Sequence, residues 1–246
     1  MSMILVEPLP LLDFSGSEGE DPENLATNDP QEVWSMAAAD SSYVINVDLG
    51  TTQSFDTVAL IGSSFSWWAS AGPTSGSETV LRASSVPVPA APVHPTTVMW
   101  HGSAVSYRRL RIGILPTTAG SPITVGRLVV GKAIKMSWSR DLGGGRRPID
   151  SGRANELPSG GFGIVPGARS AELSWTWSFL DDAELESLWW MAKRVGTTKP
   201  VLAVEDPGAA SVFAIGAHYG LLQRFEPYRR QDPGQHRWSL SLREWV

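Results

Sequence analysis

The residues of this 246-residue chain whose types and spacing could do chemistry are few. Without cysteine there is no disulfide framework, thiolate zinc site, iron–sulfur cluster or cysteine nucleophile. The four histidines, His94, His101, His218 and His236, include no i, i+4 pair of the kind that holds a metal on a helix. Gly126-Arg-Leu-Val-Val-Gly-Lys-Ala133 nearly spells a phosphate-binding loop. However, Ala133 stands where a magnesium-binding hydroxyl is needed, and the residues between the glycines read as strand. There is no Gly-x-Ser-x-Gly elbow and no His-Glu-x-x-His pair. Asp181-Asp182 reads as a helix cap rather than an acid pair, and Glu205-Asp206-Pro207-Gly208 as a turn. Acids such as Asp48 and Asp56 could join an oxygen-ligated cation site. Nothing here requires an enzyme or a cofactor.

Tryptophan is the clearest excess, with eleven in the chain. Trp175, Trp177, Trp189 and Trp238 fall at core periodicity. Trp67, Trp68 and Trp100 instead lie in a long Ser-, Pro-, Ala- and Gly-rich region. There they could stack on a sugar ring, insert into a membrane surface or anchor a protein interface, or simply pin the loop to its own domain.

Charge is unevenly divided. Residues 1–106 hold twelve acids and one base (Arg82), whereas residues 107–246 hold nineteen bases and thirteen acids. Such asymmetry marks an interaction surface. No zinc finger, RNA-binding aromatic signature or basic helix accompanies it, so nucleic acid is not the expected partner. Arg108 and Arg127 alternate with apolar residues and read as solvent faces of strands. Arginine outnumbers lysine sixteen to four, and arginine favours bidentate pairing at protein interfaces. Arg140, Arg146, Arg147 and Arg153 are therefore expected to contact carboxylates of an adjacent chain, the alternative being a solvated basic loop. No apolar stretch approaches the roughly 18 residues of a membrane span, and Met1–Leu12, without Lys or Arg, is a poor signal peptide.

The elements that must position these residues are mostly strands. Tyr43–Gly50 alternates apolar with polar and stops at glycine; Phe55–Ile61, closed by Gly62, Tyr107–Ile114, and Ile123–Val130, closed by Gly131, are the next strands. Between Ser63 and Ser106 lies a long loop region including Val86–Pro92, with β structure around Glu78–Arg82 and Thr97–Trp100. Residues 141–167 hold eight Gly and three Pro without periodicity and read as an extended arm. Leu173–Phe179 is the clearest strand, with Leu173, Trp175, Trp177 and Phe179 on one face. Asp181 and Glu184 form a capping box for a helix over 182–195. Its buried stripe is expected at Leu185, Leu188, Trp189, Ala192 and Val195, and Gly196 closes it. Strands resume at Val201–Val204, Val212–Ile215, Tyr219–Phe225 and Arg237–Trp245.

The first segment resembles the discoidin (coagulation-factor C-type) group of galactose-binding-like jelly rolls. The resemblance rests on Asn24–Pro30 followed by Val33-Trp34-Ser35, on Tyr43–Gly50 with Gln53–Leu60, and on the closing pair Tyr107–Ile112 and Ile123–Gly131. It covers about 110 residues. The cysteines that staple many secreted members are missing. The second segment resembles the C-terminal part of minor tail proteins of long-tailed phages and gene transfer agents. The matching features are the Trp-rich strand, the capped helix, Lys199–Pro207, Tyr219–Leu222 and the closing Leu242–Trp245.

Together the resemblances imply a mainly β protein. An N-terminal arm (1–23) would precede a discoidin-like jelly-roll β-sandwich (24–134). An antiparallel β-sandwich or split barrel (135–246) would follow, with the arm 141–167 and one packed α-helix, 182–195. They imply a non-enzymatic virion structural protein of a phage tail tip or baseplate, assembled in host cytoplasm. It would form a ring, hexamer or trimer, that contacts tube and hub proteins, with both arms draped over neighbours. The alternative is a carbohydrate-binding adhesion module that recognises host-surface glycans through Trp67, Trp68 and Trp100. A third reading, an accessory domain of an enzyme, rests on fold analogy alone.

Overall fold

The computed structural model describes residues 3–39, 43–62, 65–74, 77–83, 96–116, 120–137, 140–141, 144–208, 212–213 and 216–245. The loop expected at Val86–Pro92 lies outside them. Their first strands are β1 (Ile4–Val6), β2 (Trp34–Ala39), β3 (Tyr43–Gly62), β4 (Phe65–Gly72) and β5 (Thr79–Arg82). Next come β6 (Thr96–Pro116), β7 (Ser121–Gly131), β8 (Ala133–Lys135), β9 (Gly145–Asp150), β10 (Arg153–Glu156) and β11 (Phe162–Val165). Strand β12 (Arg169–Leu180) leads into helix α1 (Asp182–Val195). The chain closes with β13 (Pro200–Val204), β14 (Val212–Phe213), β15 (Ala217–Phe225), β16 (Arg229–Asp232) and β17 (Gln235–Glu244). The protein is mainly β, its sheets antiparallel.

Two compact units make up the chain. One comprises residues 3–135 and 202–218, and the other residues 136–201 and 219–245. The first is a sandwich made by bending long strands. Residues 43–48 of β3 pair with 109–114 of β6, while residues 57–62 of β3 pair with 96–101 of β6 and also with β7. Register shifts at 48/53 and 55/57 mark the bends. Such bulges kink a strand and let it pass from one layer to the next. Strands β4 and β5 extend one layer, and β2 and β7 the other. The alternation of Ile45, Val47 and Leu49 turns those side chains inward. They share one core with Leu110, Ile112, Ile114, Trp67, Val58, Leu60, Leu128 and Trp34.

Of residues 1–23, expected as an arm, residues 3–23 are part of this unit. Leu11 and Phe14 belong to its core, and β1 is buried along its whole length. Strand β1 lies between residues 202–204 of β13 and residues 133–135 of β8. An unbroken Ile-Leu-Val run is what a strand covered on both faces looks like; the prolines after it end the strand without preventing it. Residues 202–218, placed by sequence with the second domain, also belong here. Strand β14 pairs with Thr97 and Val98, on the edge of β6 opposite β3. Arg127, read as solvent-facing, is buried and donates to the Leu25 carbonyl at 3.0 Å.

In the second unit β15, β17, β12 and β9 form a sheet, with β16 folded back on β17. Trp177 and Trp238 are register partners, as are Trp175 and Leu240, and all four are buried. The capping box of α1 is formed as read: Glu184 N–H donates to Asp181 at 2.7 Å, and Asp181 N–H to Glu184 at 3.1 Å. The buried stripe is Leu185, Leu188, Met191, Ala192 and Val195, whereas Trp189 is 42% exposed. At about 100° per residue Trp189 sits roughly 100° off the centre of that stripe. Phe179 is likewise exposed, at 52%, because a register shift between Trp177 and Leu180 puts Leu180 in the core instead. The expected arm 141–167 is largely strand. Strand β9 pairs with β12, and β10 and β11 form a hairpin. Backbone pairing at a sheet edge needs no apolar periodicity, and Pro148 on an edge strand forfeits little.

Candidate functional site

A cleft of about 300 Å³ opens on the outer face of the sandwich unit, lined by Asp13, Ser15, Asn46, Asp48, Glu78, Arg109 and Arg111 among others. Register builds its floor. Asn46 faces Arg111 and Asp48 faces Arg109 across β3 and β6. The intervening Val47 and Leu110 point into the core, so the four polar residues must point out.

One wall is the Asp13–Gly16 turn, bridged to β3 by Leu12 N–H to Asp48 carbonyl (3.0 Å) and Asp48 N–H to Asp13 carbonyl (2.9 Å). Asp13 holds the turn by accepting the Ser15 N–H at 3.0 Å and the Ser15 hydroxyl at 2.6 Å. Gly16, at φ +75°, supplies its left-handed position, and Asn46 Nδ2 donates to the Gly16 carbonyl at 2.7 Å.

Both carboxylates are held below the usual carboxylate range, Asp13 by the Ser15 hydroxyl and Asp48 first by its hydrogen bonds from Arg108. Arg108 is correspondingly raised by Asp48. Carboxyls shifted downward are ionised acceptors at neutral pH and are unsuited to general-acid work. The Arg109 Nε lies 4.0 Å from Asp48, and the Arg111 guanidinium stands 5.8 Å over the Trp68 ring. The cleft thus alternates anionic acceptors with planar cationic donors. That arrangement can hold a polyhydroxylated or mixed-charge small molecule by directed hydrogen bonds.

The three tryptophans singled out by sequence are not open platforms. Trp67 is fully buried in the core with Arg82 5.0 Å over its ring, which removes it as a glycan or interface contact. Trp68 is half-buried against Gly113, where an added Cβ would lie 2.0 Å from the ring. Trp100 is half-buried, packs on the core and covers Gly102. Alternation along β4 decides this: Trp67 pairs with Ile114 on the inner side and Trp68 with Gly113 on the outer.

Asp48 and Asp56 do not come together as cation ligands. Arg108 occupies Asp48, and Asp56 accepts the Ala133 N–H at 2.8 Å and the Thr57 hydroxyl at 2.9 Å. Among the described residues there is no cluster of three or more His, Asp or Glu suited to a metal. Arg147 pairs with Glu172 of its own chain, its register partner, rather than requiring a neighbour's carboxylate. Arg140, Arg146 and Arg153 are exposed, Arg153 on β10. Sequence reasoning missed the cleft. Its one signal was the polar alternation of Asn46 and Asp48 against Arg109 and Arg111, which becomes a site only once β3 and β6 are paired.

No family model matches the chain, and no curated protein matches it. Several solved structures are similar. A Ruminococcus gnavus GH29 fucosidase in complex with fucose is 18% identical, with 54% of this chain and 25% of that one covered at a TM-score of 0.39. The present chain therefore spans about a quarter of that enzyme. The CBM32 of AlyQ in complex with 4,5-unsaturated mannuronic acid is 18% identical over 51% of this chain and 96% of that one, TM-score 0.40. Chitosan-binding module 2 of a Paenibacillus sp. IK-5 chitosanase/glucanase, with chitotriose, is 18% identical over 50% and 98%, TM-score 0.41.

Proposed function

We propose that this protein is a non-enzymatic recognition protein whose sandwich unit binds carbohydrate in the Asp13–Asp48–Arg109–Arg111 cleft. The observation that carries the reading is the juxtaposition of ionised Asp48 with the Arg109 and Arg111 guanidinium groups on one open floor, with Asp13 on its wall. A sugar's vicinal hydroxyls both donate and accept, so such a floor satisfies them in pairs. Its volume is at the small end of ligand sites and suits one or two sugar rings. Screening the full chain on a glycan array, followed by calorimetry, tests this. Arg111→Ala is expected to abolish binding with an unchanged circular dichroism spectrum. An array on which no glycan binds, or binding indifferent to Arg111, overturns it.

A second reading is favoured by a separate observation, the exposed apolar and aromatic side chains of the second unit: Phe162, Ile164, Trp189 and Trp190. Exposed surface of this kind marks protein contacts. In this reading the chain is a structural subunit of a phage tail tip, assembled in host cytoplasm as a hexameric or trimeric ring beside tube and hub proteins. Arg140, Arg146 and Arg153 would be among its inter-subunit contacts. The two readings are compatible, since a ring of sugar-binding subunits would serve adhesion. Light scattering after size exclusion separates them: a closed ring mass supports assembly, and a monomer at every concentration leaves only the glycan module.

A further inference from the structure

The β10–β11 hairpin has two faces. Phe162 and Ile164 lie on one, with their register partners Glu156 and Ala154 beside them. Phe162 is 66% exposed and Ile164 73%. The turn is well made, with Leu157 N–H donating to the Gly161 carbonyl at 2.7 Å, Gly160 N–H to the Leu157 carbonyl at 2.9 Å, and Gly160 at φ +80°. A lone two-stranded hairpin is marginal in water, and one that displays its largest apolar side chains gains by covering them.

The same unit offers a surface of matching chemistry. On α1 the exposed Trp190 carries Lys193 with its Nζ 4.9 Å over the ring, and Arg194 follows. Next to it Trp189 meets Tyr228 edge to face at 5.8 Å, both partly exposed. The hairpin's apolar face carries one charge, the acid Glu156. The helix surface sets two bases, Lys193 and Arg194, against one acid, Glu186, which accepts the Trp190 indole N–H at 3.3 Å, and so keeps a net positive charge beside its aromatics.

We propose that, within the assembly reading above on which this rests, the hairpin of one copy lays Phe162 and Ile164 on the Trp189–Trp190 surface of α1 in a second copy, with Glu156 meeting Lys193. The hairpin and the helix surface are different patches, so the contact, passed head to tail, is heterologous, in contrast to a reciprocal twofold exchange. It propagates from subunit to subunit until a rotation closes it as a ring. An acid among the apolar residues disfavours an anionic membrane as occupant, and complementary sign fixes which bases it meets.

Sedimentation equilibrium of the full chain over a range of concentrations tests this. Phe162→Ser with Ile164→Ser, both surface changes, is expected to weaken self-association roughly 30-fold or more, the scale of an interface hot spot. Glu156→Lys alone should weaken it, and adding Lys193→Glu in the same chain should restore it. Unaltered thermal melts of each monomer would show that the fold is intact. Association of the double serine variant equal to that of the parent overturns the hairpin contact while leaving assembly standing. Failure of the charge reversal to rescue overturns α1 as the receiving surface. A parent chain that stays monomeric at every concentration overturns both the contact and the assembly reading.

Discussion

Arg108 and Asp48 are joined by two hydrogen bonds, Nε and Nη2 donating to the two carboxylate oxygens at 2.8 and 2.9 Å, although Arg109 is the register partner of Asp48. The register shift that follows Asp48 makes this possible, because it brings two consecutive arginines of β6 to one carboxylate. Fork-on-carboxylate pairing at one edge of the cleft orients Asp48 and leaves Arg109 to face a ligand.

That pair gives the fold an acid-sensitive contribution. The folded Asp48 is held below its ordinary value of 3.8, chiefly by Arg108. A depressed carboxyl stabilises fully above its unfolded value, and the contribution is lost as pH falls through the lower folded value. Thermal melts of the parent should therefore drop as pH falls below about 4. Asp48→Asn is expected to be less stable at neutral pH and to show a shallower acid limb. Superimposable acid limbs for the two proteins would refute the coupling.

Deleting residues 3–19 should unfold the sandwich unit. Met3, Ile4, Leu5, Val6, Leu11 and Phe14 are buried, and each contributes about 1.5–3 kcal/mol of apolar burial. Their sum rivals the whole stability of a typical domain, ~5–15 kcal/mol. Expression of residues 20–135 with 202–218 absent should likewise give an insoluble or molten product. A cooperative melt of either truncation would show that the N-terminal segment is dispensable.

Helix α1 offers a paired test of burial. Leu188 is completely buried, so Leu188→Ala should cost about 2–5 kcal/mol in denaturant unfolding. Trp189, although adjacent, is partly exposed, and Trp189→Ala should cost clearly less. Equal losses at the two positions would contradict a buried stripe that excludes Trp189.

Gly113 sets the place of Trp68. An added Cβ would lie 2.0 Å from the Trp68 indole, forcing the ring away from the sheet and from Arg111. Gly113→Ala is expected to destabilise by about 1–3 kcal/mol, as overpacking does, and to red-shift tryptophan emission. Under the carbohydrate reading it should also weaken sugar binding by loosening Arg111. An unchanged spectrum and midpoint would mean the indole accommodates the methyl group without moving.

Elements whose instructions are local could be read from the amino-acid order. The helix 182–195 carries its cap, its acidic start, its basic end and its stop within a few residues of one another, and the alternation in Tyr43–Gly50, Tyr107–Ile114 and Leu173–Trp177 announces strands. What depended on partners distant in sequence could not be read this way. The bulge after Trp177 turned Phe179 outward, and burial on both faces made a strand of Ile4–Val6 where sequence suggested an arm. The free edge of β6 drew residues 212–213 into the sandwich, and strand phase put Trp67 in the core while leaving Trp68 against Gly113. The cleft belongs wholly to this second class. Asp13, Asp48, Arg109 and Arg111 are ordinary surface residues one by one. Only the pairing of β3 with β6, long in sequence separation, sets Asp48, Arg109 and Arg111 on one floor, and only the bridge from Asp13 to Asp48 adds the wall.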